Sequence, residues 1–455
     1  MQSPFDRLQK IYLRVFDSDF LRRIIRNSSY LVTATMISAG LGMIQGAYQF
    51  RVLDFAGIGL LAAMATFTNV LNRLTSFRID ELVIRYVRLY QERDQKDRAA
   101  AVYKLAGMLE FFGALVAFLL VILLAPLGVS LFSDQAGTEQ WFILYGGLIL
   151  INILFDSSDG ILKVFNKFDA KSIIDVSQSV VRLGLTIYVF NTGGGLYEII
   201  LAELAGRLLR SLAVVGLAFR TANEKWGPGW WRTPFSVLQE DRRSLLTFAF
   251  STNLSATVSL LAKDSEDLWV NAFLGNVSGG IYSLARTING LLQIPVSPLP
   301  ATTYPELSTA VAQNDWKSVN GILKRGSLLA ALYSLPVTAA LIIFGRQIIV
   351  LYSGNPEAVE AYVPLVILLI AFSFVNIFYW NRAALLAFNR PVYPTIVNLI
   401  GMLLKVTGII LFAQTYGVIA FAALLAAYYI FTVGLAVFRV RKDVRQHLSM
   451  AVSST

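Results

Sequence analysis

The chain has 455 residues, of which 56% are hydrophobic and only 15% charged, and its mean hydropathy is +0.60. A soluble domain averages about 25% charged residues, so this composition excludes one and points to a polytopic helical membrane protein. With no cysteine and one histidine, His447 in the polar tail, disulfides, thiolate chemistry and a buried histidine relay or metal site are excluded.

Ser3-Pro4-Phe5-Asp6 has the pattern of a helix start. Phe5, Leu8, Tyr12 and Val15 then share a face, while Arg7, Lys10 and Arg14 lie elsewhere, which predicts an interfacial amphipathic helix within residues 1–26. That segment is too long for the n-region of a cleavable signal peptide. Six spans follow near 27–47, 57–77, 105–127, 139–160, 172–191 and 196–219, forming a predicted N-lobe over 27–219. Residues 220–243 are a polar break in which Trp226, Trp230 and Trp231 flank Gly-Pro-Gly, a composition expected at a membrane interface. Six more spans near 244–263, 278–303, 327–345, 361–380, 394–414 and 417–438 form a predicted C-lobe over 244–438, ahead of a tail at 439–455. The predicted fold is an all-α integral membrane protein with twelve transmembrane helices in two pseudo-symmetric six-helix lobes.

The net charge of +10 follows the predicted loops. Thirty of the 39 Lys and Arg fall on one side, and only Arg51, Lys263 and Arg346 occupy the opposite loops. By the positive-inside rule both termini are cytoplasmic. Basicity here reflects topology, so no nucleic-acid partner is expected.

The halves repeat. Phe165-Asn166-Lys167 matches Phe388-Asn389-Arg390, Arg182 matches Lys405 and Gly194 matches Gly417, all at an offset of 223. Asp94-Gln95-Lys96 matches Asp315-Trp316-Lys317, and Lys104 matches Arg325, at 221, while Leu131-Phe132-Ser133 matches Leu351-Tyr352-Ser353 at 220. Six spans per repeat preserve orientation, the parallel arrangement of alternating-access transporters with substrate held between the lobes.

Arg182 and Lys405 sit near the middle of their spans, roughly 15 Å deep. A basic residue at that depth costs about 2.5–3.5 kcal/mol and is kept toward a cavity or a partner. Two at equivalent depths predict a shared basic cavity in which they face each other, and an anionic cargo. The alternative is that each pairs with a carboxylate inside its own lobe. Arg286 in the eighth span is a third substrate-binding candidate, and Asn398 could offer an amide to a sugar or an ion.

Glu203, Arg207 and Arg210 share one helix face, as an ion pair plus a snorkelling arginine or with Glu203 as a proton-coupling acid. Arg51 with Asp54 reads as an outer gate or a solvated turn. Glu266, beside Asp264 and Asp267, is an ion-coupling or gating candidate or part of an outer charge cluster, and Asp156 with Asp159 is similarly open. No GxxxxGK[ST] loop, metal cluster or nucleophile triad occurs and every predicted loop is short, so an enzyme is not expected. No cofactor is expected either, with a coupling cation, H+ or Na+, as the one alternative.

Gly275, the Gly279-Gly280-Ile281-Tyr282-Ser283-Leu284-Ala285 run, Tyr304-Pro305-Glu306-Leu307-Ser308 and Asn314-Asp315-Trp316-Lys317 carry a family likeness. Tyr352-Ser353-Gly354 and Ala387-Phe388-Asn389-Arg390-Pro391 extend it. With these motifs and the spacing of its spans, the chain resembles the polysaccharide transporter (O-antigen flippase) family of the multidrug/oligosaccharidyl-lipid/polysaccharide (MOP) flippase superfamily. The resemblance implies a MATE-like fold and the flipping of polyprenyl-pyrophosphate-linked oligosaccharides across the inner membrane. The implied partners are that lipid-linked oligosaccharide, membrane lipids and polysaccharide-assembly enzymes. It also implies a phosphate contact for Arg286, which follows Tyr282 and Ala285 and precedes Pro295. Lipid II flippases of the same superfamily usually carry two further C-terminal spans, and some use an acid in the eleventh span for sodium. Here the chain ends at Thr455 without them, which favours the O-antigen branch, and Lys405 is the only charge in the eleventh span, which speaks against sodium coupling by that route. The rivals are a cation-coupled multidrug exporter of the same fold, disfavoured by a first span without carboxylates, and a non-transporting scaffold.

Overall fold

The computed structural model describes residues 19–75, 79–134, 137–245, 265–390 and 392–453. The predicted amphipathic segment up to residue 18 and nearly all of the predicted span 244–263 lie outside the described residues. In chain order the helices are α1 (Asp19–Val52), α2 (Phe55–Thr75), α3 (Ile79–Glu92), α4 (Lys96–Phe132), α5 (Glu139–Ile151), α6 (Phe155–Val164), α7 (Phe168–Thr192) and α8 (Leu196–Trp226). After the break between the halves come α9 (Glu266–Gln293), α10 (Leu299–Ala312), α11 (Trp316–Ser353), α12 (Tyr362–Ile377), α13 (Asn381–Ala387) and α14 (Val392–Ser453).

Among the described residues there is no strand, and seven helical stretches are long and apolar enough to cross a membrane. One of these, within α14, bends at Gly417 (φ 57°, ψ −138°) and so has two arms. Leu119, Leu123 and Leu127 on α4, and Leu328, Leu332 and Leu335 on α11, are each more than half exposed. Rows of bare leucine at helical spacing would be an aggregation liability in water, whereas in a bilayer they face like with like. The chain is a multi-pass helical membrane protein.

The backbone repeats more regularly than the residue identities. α3 and α10 each run 14 residues and begin 220 positions apart, as do α4 and α11. Left-handed turns fall at Asp94 (φ 54°) and Asn314 (φ 54°), then at Asn166 (φ 54°) and Asn389 (φ 56°). The register at the first turn is therefore 220, so Asp94 corresponds to Asn314 and not to Asp315. Asp and Asn both tolerate the left-handed conformation, so the turn keeps a residue class while the identity match slips by one. The predicted eighth span also ends early, because α9 stops at Gln293 and Pro295 and Pro298 separate it from α10.

α3 buries Ile79, Leu82, Val83, Tyr86, Val87 and Tyr90, the stripe of an amphipathic helix, in a core shared with α4 and α6. The segment between the halves is strapped to this core. Trp230 stacks on Tyr103 at 4.8 Å, Trp226 donates to Gln91 Oε1 at 3.2 Å, and Arg98 pairs with Glu240 at 2.7 Å. The Tyr90 hydroxyl donates to Asp241, and burial together with that carboxylate raises its pKa above the usual phenol value. Of the three tryptophans expected at a membrane interface only Trp231 is exposed, because the other two serve as packing.

The two halves meet where α2 lies against α9. A Cβ at Gly59 would stand 1.9 Å from the Asn276 carbonyl oxygen, and one at Gly280 would stand 2.1 Å from that of Phe55. Backbones this close admit no side chain. Beside them the Asn276 side chain accepts the Asp134 N–H at 2.8 Å and donates to the Phe132 carbonyl at 2.8 Å, while the Asn276 N–H donates to Asp134 Oδ2 at 2.6 Å. Arg51 donates to the Leu351 carbonyl at 3.0 Å, and Phe50 packs edge-on to Tyr352 at 5.7 Å. Besides a Tyr86–Ser244 hydrogen bond at 2.7 Å next to the segment between the halves, the contacts of Asn276 and Arg51 join the halves at this end, which the charge pattern predicts to be the outer one. The molecule is closed there.

Gly59→Ala should force these backbones apart and lower stability by about 1–3 kcal/mol, the usual cost of overpacking. Gly147→Ala, with nothing within 4 Å of its added methyl, should be neutral or slightly stabilising. Thermal unfolding in detergent compares them; equal melting temperatures would mean that the close approach carries no weight.

Candidate functional site

In the first half, α8 brings Glu203, Arg207 and Arg210 to one face, and α7 lies beside it with Lys171, Asp175 and Arg182. Gly206 makes room for this: a Cβ there would be 2.1 Å from Arg182 Cγ. Arg182 reaches across to Glu203 Oε1 at 2.7 Å, and that oxygen also accepts from Gln45 at 2.7 Å and Gln49 at 3.1 Å. Arg207 stands 3.8 Å from the other oxygen of Glu203. Arg210 donates to Asp175 Oδ1 at 2.6 Å and lies over the Phe155 ring. Lys171 bridges Asp175 at 2.9 Å and Asp159 at 3.2 Å, and Lys163 continues the chain from Asp159 at 2.7 Å to Asp80 at 3.0 Å.

These groups border a cavity of about 500 Å³ lined by four cations, Lys171, Arg182, Arg207 and Arg210, and by one acid, Asp175. Glu203 and Asp159 hold the cations without lining the space. The Nε atoms of Arg182 and Arg207 have no hydrogen-bond partner among the described residues. The cavity is basic.

In the second half the arrangement differs. Lys405 donates to Glu266 Oε1 at 2.6 Å, and each side chain is only 1% exposed. Glu266 also accepts from the Tyr282 hydroxyl, and Tyr428, whose hydroxyl donates to Asn398 Oδ1 at 3.2 Å, lies 5.7 Å from the ammonium group. A separate cavity of about 440 Å³ contains Arg286, paired with Asp267 at 3.0 Å.

Residues 24–311, well over half of the chain, match the family described as Polysaccharide biosynthesis protein. The chain belongs to that family. Residues 267–411 also match the MatE family. The inner membrane protein YghQ of Escherichia coli strain K12 is 20% identical over 76% of this chain and 97% of its own length. The probable flippase AglR of Haloferax volcanii is 24% identical over 65% of this chain, which spans 59% of that protein. In fold the chain is similar to an inward-facing multidrug resistance MATE family transporter of the MOP superfamily, with a TM-score of 0.72, 13% identity and coverage of 92% of this chain and 99% of that one. It is also similar to the lipid II flippase MurJ in an inward closed conformation, with a TM-score of 0.69, 17% identity and coverage of 92% and 89%. This member of the polysaccharide biosynthesis family therefore has the MATE-like fold of the MOP superfamily.

The structure separates residues that the sequence pattern groups together. Arg182 and Lys405 do not face each other: Arg182 lines the first cavity, while Lys405 is sealed inside the second half. Each pairs with a carboxylate of its own half, because an uncompensated charge out of water is too costly to leave. The nearer partner of Glu203 is Arg182 and not Arg207, and Arg210 binds Asp175 where a snorkelling side chain was expected. Glu266 belongs to the interior and not to an outer cluster. Arg51 spans the halves at the closed end, and Asp54 caps its own turn by accepting the Gly57 N–H at 2.6 Å. Asp159 joins the chain of ion pairs, whereas Asp156 is exposed, stands outside that chain among the described residues, and gives its backbone N–H to Glu110 at 2.7 Å.

Sequence reasoning passed over Asp175, the Gln45–Gln49 pair and Glu110. Glu110 accepts the first free N–H groups of α6, from Asp156 and Ser157, and so supports the break between α5 and α6. The available signals were Asp175 at helical spacing from Lys171 and Arg182, and Glu110 as a lone acid in an apolar span.

Lys405→Met should cost about 3–5 kcal/mol by stranding Glu266, and Lys405→Met with Glu266→Gln should recover most of it. Arg182→Ala should cost clearly less, since Glu203 keeps Gln45, Gln49 and Arg207. Unfolding of the purified variants in detergent ranks them; an equal loss for the two single variants would contradict this picture.

Proposed function

We propose that this protein is a flippase that carries a polyprenyl-pyrophosphate-linked oligosaccharide, such as an O-antigen or other surface-polysaccharide repeat unit, across the cytoplasmic membrane. Alternating access moves the cargo without ATP, and both termini face the cytoplasm. The supporting observation is the first cavity, where four cations and one acid meet among membrane-depth helices. A pyrophosphate brings about two negative charges into a region of low dielectric, where ion pairing strengthens. Guanidinium forks suit phosphate oxygens, and Arg182, Arg207 and Arg210 all line the cavity. The carboxylates behind the cations keep the forks positioned before the cargo arrives. A cationic drug would meet repulsion in the same cavity, which weighs against the multidrug reading of this fold.

Movement between states requires the Asp134–Asn276 clamp and the Arg51–Leu351 contact to part and re-form. Glu203 and Glu266 are the carboxylates through which a coupling H+ or Na+ would act, since loss of either charge loosens a basic partner at membrane depth. Lys405 then serves to hold α14 against α9, while the Tyr428–Asn398 hydrogen bond ties the two arms of α14 together. The membrane supplies the lipid-linked cargo, and polysaccharide-assembly enzymes would consume it on the far side.

Proteoliposomes loaded with a fluorescent lipid-linked oligosaccharide, or with a cationic dye, test the reading. The wild type should flip the first and not transport the second. Arg207→Ala should slow flipping by about tenfold or more while the protein stays folded, with Arg207→Lys intermediate because it keeps the charge but loses the fork. Dye transport without oligosaccharide flipping would reverse the assignment.

A further inference from the structure

We infer that the cavity in the second half is a saccharide subsite, so that the two halves divide one cargo, phosphate on the first and sugar on the second. This rests on the flippase reading above and names what its second half recognises. The cavity, about 440 Å³, is lined by Asp267, Ser283, Arg286, Thr287, Asn289 and Gln293, with Phe372 and Tyr429 as its aromatic wall. Arg286 is neutralised by Asp267 at 3.0 Å, so the lining carries no net charge and offers an anion nothing comparable to the first cavity.

Its unmet hydrogen-bonding needs point the same way. Asn289 is 2% exposed and its Oδ1 has no donor among the described residues. Asp267 Oδ1 is likewise buried without a donor. Two buried acceptors call for a ligand that donates, which a phosphate dianion cannot do and sugar hydroxyls can. Ser283, Thr287 and Gln293 add groups that both donate and accept, matching the mixed character of a polyol. The rings of Phe372 and Tyr429, 4.7 Å apart, give the apolar face that a pyranose C–H surface packs on. A volume in the few-hundred-Å³ range of small-molecule sites has room for a short saccharide.

The repeat shows that this chemistry is local to the second half. Glu203, Arg207 and Arg210, advanced by the 223 positions that relate Gly194 to Gly417, fall on Ala426, Ile430 and Val433. None of these is charged. The helix stretch that makes the first cavity ionic brings only uncharged residues, Leu425 and Tyr429, to the second.

Binding of two probes to the purified full chain in detergent tests the division: polyprenyl pyrophosphate, and the same lipid carrying N-acetylglucosamine. The wild type should bind the glycosylated probe more tightly. Thr287→Val, nearly isosteric, and Asn289→Ala should each erase about tenfold of that gain and leave the bare lipid unaffected. Arg207→Ala should weaken both probes alike. No gain from the sugar, or an equal loss for both probes in the Thr287 and Asn289 variants, overturns the subsite while leaving the flippase reading in place. A wild type that binds neither probe overturns both.

Discussion

The cost of holding charge out of water organises this molecule. Removing an ion from water costs several kcal/mol even after relaxation, so a basic residue at membrane depth needs a carboxylate close by. Both halves obey this rule with different outcomes. In the second half Lys405 and Glu266 cancel in a sealed pair, which joins helices and leaves no field behind. In the first half Glu203 and Asp159 sit behind the cations and Asp175 stands beside them, so the cations are held in place and still outnumber the acid in the cavity lining. The same principle yields a structural lock on one side and an anion-binding surface on the other.

The closed end relies on a different kind of interaction. There the halves touch through bare backbone at Gly59 and Gly280 and through hydrogen bonds around Asn276 that include no ion pair. Contacts of this type are short-ranged and exchange readily with water, unlike a buried ion pair. An interface that must open and reseal is better made from them, while the permanent work of joining helices is left to the ion pairs within each half. Arg51, whose charge meets a carbonyl oxygen and not a carboxylate, fits that division.

The two halves share a scaffold without sharing a chemistry. Left-handed turns at Asp94 and Asn314, and at Asn166 and Asn389, keep the backbone paths alike because the turn geometry demands a small polar residue. No comparable demand acts on the side chains that line a cavity, and Glu203 and Arg207 have no charged counterparts on α14. A two-fold framework can thus present an ionic site and a neutral polar site to two parts of one amphiphile.

Much of this was legible in the amino-acid sequence. Composition and run length determine an all-helical membrane protein, because lipid leaves backbone groups no other partners. The internal repeat was visible to within a residue, and its motifs carried the family. That Arg182, Arg286 and Lys405 fall within apolar helical runs was also readable, since it follows from position along the sequence, whereas the burial of Glu266 was not. Partnership was not. Arg182 meets a carboxylate 21 positions on and Lys405 one 139 positions back, and only helix packing decides which oxygen is within 3 Å of which nitrogen. Symmetry in the sequence suggested one shared basic cavity; tertiary structure split it, because whether a charge lines a cavity or closes on a partner depends on the helix that happens to stand beside it.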